Sequence, residues 1–344
     1  MITLVTSRFQ DNTPDRLLLQ DFEQYCAQHS TWHSEQGPLL FSPGQVSSRL
    51  YTALHLAARP FLKYRKKRGA IISLGLPYRN YLFSKTFPYF ALNYDLRVLW
   101  TYDVWEPRYA EVAELVRESR VGLLLLSSWQ ATEHFRGLNL AGCTVQWVPE
   151  TINPATYRSK PWAERTTNLL SFGRSFLDYH RRVVAGCQAH QITYKYQEQS
   201  ETKDVATQGM KTAALQFPTE EAFLDGLADA QICLCFPRSL THPQLAGEVS
   251  TLTLRYLQAM AAKCLVLGAA PLEATRLFGY NPVVEVDWQD PVGQLQTILR
   301  NPAPYQALIE RNYAFVCSKL HYQHALNTIH ELTTNMLAEA QVVH

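Results

Sequence analysis

Residues 247–260 read Gly-Glu-Val-Ser-Thr-Leu-Thr-Leu-Arg-Tyr-Leu-Gln-Ala-Met, and an apolar run follows after Ala-Ala-Lys. The stretch predicts a loop, a helix and a buried strand. Ser250 and Thr251 are good helix caps, because a side-chain oxygen accepts a hydrogen bond from a free first-turn N–H. Thr251, Arg255 and Gln258 share one helix face. Such a helix start can hold an anion, and an ordinary capped amphipathic helix is the alternative.

Composition sets the class of protein. A chain of 344 residues is long enough for two domains. A net charge of +2 gives no argument for nucleic acid as a partner. No apolar run has the length of a bilayer span, and the N-terminus lacks a signal-peptide pattern. The seven cysteines are scattered and odd in number, which predicts reduced, buried thiols and a cytoplasmic location. His321 and His324 have helical spacing but no third ligand, so no metal site is predicted.

Apolar runs alternate with helical patterns along the whole chain. The runs do not alternate with polar residues, which is typical of parallel strands covered on both faces. The predicted strands are residues 2–6, 70–74, 96–101, 122–126, 144–148, 168–172, 192–196, 213–217, 231–236, 265–268 and 283–287. The fold class is therefore α/β.

Three prolines divide this pattern into two blocks. Pro149, Pro154 and Pro161 lie in a segment without periodicity, which is typical of a domain boundary. We expect two Rossmann-like, doubly wound domains that face each other across a cleft, with ligands at the carboxyl ends of the strands. The predicted parts are an acceptor-side domain at 1–150, a nucleotide-sugar-binding domain at 151–320 and a helical tail at 321–344.

The second block resembles the donor-binding domain of a GT-B glycosyltransferase of the group 1, family 4-like kind. The first block resembles the acceptor domain of that family in architecture only. The resemblance extends over residues 148–325 and rests on the order of several short motifs. These are Val148-Pro149-Glu150, Ser171-Phe172-Gly173-Arg174, residues 229–234 before Pro237, residues 258–268, Pro282-Val283-Val284, Arg311-Asn312-Tyr313 and His321.

The resemblance implies a diphosphate site after the first strand of the second domain. Gly173-Arg174 matches the family's Gly-Arg pair, whose arginine reaches the donor diphosphate. We therefore expect Arg174 to act in catalysis. The lysine that follows in the family is absent here, and Arg181 or His180 is the predicted substitute.

The family's two glutamates, eight residues apart, map to Ser250 and Gln258. Gln258 is expected to hold the nucleotide ribose, because an amide both donates and accepts hydrogen bonds. Glu248 is a possible substitute for the first glutamate. The N–H groups of Ser250-Thr251-Leu252-Thr253 are expected to meet the diphosphate. The loop with Pro218 is expected near the base.

The first block offers fewer candidates. Asp103, which follows the strand at 96–101, is the predicted catalytic carboxylate on the acceptor side, and a backbone-capping loop residue is the alternative. The run Arg65-Lys66-Lys67-Arg68 is read either as a contact for anionic lipid or a polyanionic acceptor, or as a solvated helix end.

Together these features predict a metal-independent, retaining glycosyltransferase without a cofactor. Its donor would be a UDP- or GDP-linked sugar, and its acceptor a carbohydrate, a lipid-linked molecule or a protein. The expected location is cytoplasmic, with a possible peripheral contact to the inner face of a membrane. A non-catalytic GT-B subunit that binds a nucleotide or glycan is the alternative, and an epimerase or hydrolase on the same fold is a third.

Overall fold

The apolar runs form two separate parallel sheets in a computed structural model of the chain. The structure describes residues 1–6, 14–36, 57, 66–75, 93–173, 176–196 and 216–342. Each sheet belongs to one structural unit. Unit 1 comprises Met1–Ile152, Leu245–Thr251 and Tyr322–His344, and unit 2 comprises Asn153–Gln244 and Leu252–His321.

The described strands are β1 (Ile2–Thr6), β2 (His33–Gln36), β3 (Lys66–Gly75), β4 (Asn93–Thr101), β5 (Leu123–Leu126), β6 (Thr144–Trp147), β7 (Thr167–Ser171), β8 (Tyr194–Tyr196), β9 (Ala230–Cys235), β10 (Leu265–Gly268) and β11 (Val284–Glu285). The described helices are α1 (Pro14–His29), α2 (Tyr109–Ser119), α3 (Trp129–Gly137), α4 (Leu177–Ala189), α5 (Glu220–Ala228), α6 (Arg238–Thr241), α7 (Pro243–Ala246), α8 (Leu254–Ala261), α9 (Leu272–Phe278), α10 (Pro291–Arg300), α11 (Ala303–Lys319) and α12 (Tyr322–Val342).

The sheet of unit 1 has helices on both faces. Its described strands lie in the order β2-β1-β3-β4-β5-β6, and each is parallel to its neighbours. Leu124 and Leu126 of β5 pack with α2 and α3, whereas Leu123 and Leu125 pack on the other face with α1 and α12. A strand covered on both faces needs apolar side chains on both, which explains the four successive leucines.

The sheet of unit 2 is also parallel, with the order β11-β10-β9-β7-β8. Leu169, Ile232 and Leu265 pack with α4 and α10 on one face. The chain passes from β7 to β8 on one side of β7, while β9 lies on the other side. The order in which successive strands join the sheet therefore reverses between β7 and β9, although all strands stay parallel. In open α/β sheets, ligands bind at such a reversal, outside the carboxyl ends of the strands.

The prediction of a helix end at the basic run is wrong where the structure describes it. Arg65 lies outside the described residues, and Lys66–Gly75 forms β3. The register of β3 shifts between Lys67 and Ala70. Gly69 has φ 95°, and a Cβ there would lie 2.0 Å from the carbonyl oxygen of Met1. This glycine therefore allows β3 to bulge where it passes close to Met1.

Three further differences concern short elements. β2 (His33–Gln36) was not predicted. Gln216 and Phe217, expected to end a strand at 213–217, lie in a bend, and residues 213–215 lie outside the described residues. Residues 237–247, which have no strand or helix pattern in the sequence, contain α6 and α7. The helical pattern at 44–62, apart from residue 57, the apolar segment at 83–92 and the polar segment at 198–209 also lie outside the described residues.

Candidate functional site

A glycine turn lies at the carboxyl end of β7, beside the reversal point of the unit 2 sheet. β7 ends at Ser171, and Phe172 and Gly173 follow it. Gly173 is exposed and has φ 67°, a left-handed conformation that glycine adopts without a Cβ clash. Arg174, the predicted diphosphate contact, lies outside the described residues. The turn therefore presents its backbone at the place where doubly wound sheets bind ligands.

Arg255 lies against this turn. It is in the first turn of α8, and its side chain is half-buried. The guanidinium is so close to Gly173 that a Cβ on that glycine would be 2.9 Å from Nη2. Its Cζ is 5.8 Å from the centre of the Phe172 ring, within the range of a cation–π contact. The sequence pattern predicts that Arg255 lies on a polar helix face. It does not identify Arg255 as a site residue, because its neighbour Gly173 is remote in the chain.

Burial shifts the pKa values of Arg255 and of the neighbouring Cys235 in opposite directions. Burial lowers the pKa of the Arg255 guanidinium, because a cation loses hydration there. Burial also raises the pKa of the Cys235 thiol to about 12, so this neighbour stays uncharged at neutral pH. Arginine is the most basic of the side chains and carries a positive charge in proteins. The turn after β7 is thus accompanied by a half-buried positive charge.

The predicted lysine substitutes lie on α4. Tyr179 is fully buried beneath the helix. The His180 ring is 3.2 Å from the Tyr194 hydroxyl through Nδ1, and burial together with the charge of Arg181 lowers its pKa. His180 is therefore neutral at pH 7. Arg181 is exposed.

Gln258, the predicted ribose contact, is buried on α8. Its Nε2 donates a hydrogen bond to the Tyr157 hydroxyl at 3.2 Å. This bond orients the amide and leaves its oxygen as an acceptor. Pro218 is exposed before α5. The adjacent Thr219 caps α5 by accepting a hydrogen bond from the Ala222 N–H at 3.1 Å.

The predicted caps Ser250 and Thr251 do not start the helix. α8 begins at Leu254, and its N-terminal neighbour Thr253 is extended and makes no side-chain cap bond. In unit 2, the buried carboxylate of Glu273 accepts the Leu252 N–H at 2.6 Å. This bond gives the Leu252 N–H a partner outside α8, and the helix begins only at Leu254.

The preceding residues are fixed within unit 1. Glu106 accepts the Glu248 N–H at 2.8 Å. Gln130 accepts the Ser250 N–H at 2.7 Å and donates to the Glu248 carbonyl at 3.0 Å. Val249 packs with Trp105 in a small apolar cluster. Two of the N–H groups predicted to meet the diphosphate, those of Ser250 and Leu252, therefore already have side-chain acceptors, and so does the N–H of Glu248. Two of these three acceptors are carboxylates.

Asp103 lies in unit 1, directly after β4. It is half-buried and has φ 55°, between the buried residues Tyr102 and Val104. The reversal of the unit 1 sheet lies between β1 and β3, not at β4. The residues that follow β1 and β3 lie outside the described part. Asp103 therefore stays a prediction for the acceptor side.

The predicted site residues divide between the two units. Unit 1 contains Asp103, Glu248, Ser250 and Thr251, whereas unit 2 contains Gly173, Arg181, Pro218, Leu252, Thr253 and Gln258. Among the described residues, no group of three His, Cys, Asp or Glu side chains is arranged to hold a metal ion. No described helix combines the length and the apolar character needed to cross a membrane.

The sequence itself matches no protein-family model and no curated protein. Solved structures do match over nearly the whole chain. Sucrose-phosphate synthase from Thermosynechococcus elongatus is 12% identical with a TM-score of 0.61, and the match covers 98% of this chain and 99% of that one. HepE from Anabaena, solved with UDP and glucose, is 12% identical with a TM-score of 0.58 and coverages of 97% and 99%.

A third match is the N-terminal domain of trehalose-6-phosphate phosphatase from Candida albicans. It is 12% identical with a TM-score of 0.53, and the match covers 97% of this chain and 96% of that one. Likeness at such low identity is likeness of fold. The predicted α/β class and the GT-B fold are thereby confirmed.

Proposed function

We propose that the protein is a metal-independent, retaining glycosyltransferase that uses a nucleoside-diphosphate sugar. The observation that carries the proposal is the exposed Gly173 turn at the reversal point of the unit 2 sheet. Backbone at this position can approach a diphosphate closely, and Arg174 follows it directly. That the sugar keeps its anomeric configuration is inferred from the family resemblance.

In the proposed reaction, the bond between the anomeric carbon and the diphosphate oxygen breaks. Its electron pair stays on the diphosphate. The acceptor hydroxyl oxygen forms the new bond to the anomeric carbon, and its proton passes to a diphosphate oxygen. Arg174 stabilises the charge that grows on the leaving group, and this fills the role that a metal ion takes in other transferases.

Gln258 is proposed to hold the ribose. Its amide is already oriented by Tyr157, so little ordering is needed when the donor binds. HepE was solved with UDP-glucose, and sucrose-phosphate synthase shares the fold, so UDP-sugars come first in the donor panel. GDP-sugars follow. The acceptor class and the proposed cytoplasmic location rest on the sequence.

The test is a thermal-shift panel of nucleoside diphosphates and their sugars, repeated with Arg174→Ala. We expect one base to raise the unfolding temperature of the wild-type protein. Arg174→Ala should keep the fold and lose most donor turnover. Near-normal turnover by Arg174→Ala would contradict the role of this arginine, and no shift with any nucleotide would contradict the donor site.

One observation favours a second candidate, a non-catalytic subunit that binds a nucleotide or glycan. The N–H groups of Glu248, Ser250 and Leu252 already have side-chain acceptors. A phosphate can reach these N–H groups only by displacing a side-chain oxygen. Nucleotide binding without hydrolysis or transfer of any donor sugar would select this candidate.

A further inference from the structure

The resemblance implies two positive charges at the donor diphosphate, but the sequence supplies only Arg174 at the matching positions. Of the predicted substitutes for the second charge, His180 is the less suitable. Its ring is close to the Tyr194 hydroxyl and its pKa is lowered, so it carries no charge at neutral pH. Arg181 is charged but exposed on α4.

Arg255 occupies a different and better placed position. β7 and β9 are neighbours in the sheet. The contact between Arg255 and Gly173 places the first turn of α8 beside the turn that follows β7. The side chain of Arg255 extends toward Gly173, whose missing Cβ leaves space for the guanidinium. This contact sits at the reversal point of the sheet, where a ligand phosphate is expected.

The surroundings of Arg255 suit a positively charged side chain that binds a phosphate group. The Phe172 ring lies 5.8 Å from the guanidinium carbon, within the range of a cation–π contact. Half-burial removes part of the hydration shell of the cation, which strengthens its attraction to an anion. The planar fork of arginine can also donate two parallel hydrogen bonds to a phosphate.

We infer that Arg255 is the second positively charged residue for the diphosphate of the donor, in place of the missing lysine. The inference rests on the proposed function and adds to it a residue from α8. Arg255 donates hydrogen bonds to diphosphate oxygens in the bound donor. It keeps these bonds when the sugar leaves and the electron pair remains on the diphosphate.

The test measures the affinity of the full chain for UDP, UMP and uridine, and for GDP, GMP and guanosine, by isothermal titration calorimetry. The variants are Arg255→Met, which keeps the length of the side chain, and Arg255→Lys, which keeps the charge. Arg300→Ala removes an exposed arginine at the end of α10 and is the matched control. Thermal unfolding of each ligand-free variant reports the fold.

We expect Arg255→Met to weaken nucleoside-diphosphate binding by about 10- to 100-fold, the effect of losing charge-assisted hydrogen bonds. Affinity for the nucleoside should change by less than about twofold, because that part of the ligand does not contact the guanidinium. The affinity of Arg255→Lys for the diphosphate should lie between those of the wild type and Arg255→Met. Lysine keeps the charge but loses the planar fork of donors. Arg300→Ala should bind as the wild type does.

Three other outcomes would each contradict a different part of the proposal. Wild-type affinity of Arg255→Met for the diphosphate overturns the role of Arg255 and leaves the proposed function intact. Arg181→Ala is the competing variant, and a diphosphate-specific loss there but not in Arg255→Met assigns the charge to α4. A folded wild type that binds no nucleotide overturns the proposed function and this role together.

Discussion

Gly173→Ala adds one methyl group at the proposed diphosphate turn. The substitution acts in two ways that can be separated. At φ 67°, alanine is strained in the left-handed region by about 1–2 kcal/mol. In addition, the new Cβ would be 2.9 Å from Arg255 Nη2, so the tip of the guanidinium must move by a few tenths of an ångström. That movement is cheap for stability because the tip is flexible.

Two other glycines serve as matched controls. Gly279 has φ 72°, but a Cβ there meets nothing within 4 Å, so Gly279→Ala carries the strain without the contact. Gly137 has neither an unusual φ nor a close neighbour, so Gly137→Ala should be near neutral. We expect Gly173→Ala and Gly279→Ala to lose similar free energies of unfolding, within about 0.5 kcal/mol of each other.

Ligand affinity should distinguish the two strained variants. Gly173→Ala displaces the guanidinium and should weaken nucleoside-diphosphate binding by about tenfold or more, since small misplacements at a charged site are costly. Gly279→Ala should bind as the wild type does. The assay combines urea unfolding with calorimetric titration. Equal affinities of Gly173→Ala and Gly279→Ala would refute the reasoning that Gly173 makes room for Arg255.

Two further predictions concern the loop and the core. Gln130→Ala removes both bonds to the loop at 248–250 and should lower the free energy of unfolding by about 1–2 kcal/mol, or the melting temperature by a few degrees. The control is Glu133→Ala, which breaks an exposed ion pair on the same helix and should change the free energy of unfolding little. Equal losses of free energy in the two variants would contradict the stabilising role of the two Gln130 bonds to the loop. Burial alone would raise the pKa of Asp229, but hydrogen bonds from Thr166, Lys160 and Thr167 hold it well below its usual value. Ionised Asp229 therefore stabilises the fold above about pH 4, and the wild-type advantage over Asp229→Ala in urea unfolding should shrink as the pH falls below that value; a pH-independent difference would contradict this.

The sequence predicts the sheets well because their signal is local. The four successive leucines of β5 make both faces of the strand apolar, and such a strand must be covered by helices on both sides. The sequence does not predict β2, because His33–Gln36 is a short polar strand at the edge of the sheet and has no apolar pattern. Lys66–Arg68 resemble a helix end in composition, but pairing with β4 and the bulge at Gly69 determine their structure.

The site is harder to predict because its contacts are not local. Ser250 and Thr251 have the composition of a cap, yet Gln130 and Glu273 bind the neighbouring N–H groups from other elements. The role of Arg255 depends on Gly173, which the sheet order brings next to α8. A residue pattern records the spacing within one element, whereas these partners meet only after the sheet has formed.

The most direct test of the central claim is the release of nucleoside diphosphate from a panel of UDP- and GDP-linked sugars, with and without candidate acceptors, in buffer containing EDTA. The proposed glycosyltransferase should release the diphosphate from one donor class, faster with an acceptor present and at the same rate after metal removal. A folded protein that releases no diphosphate from any donor, with or without added metal, would contradict the claim.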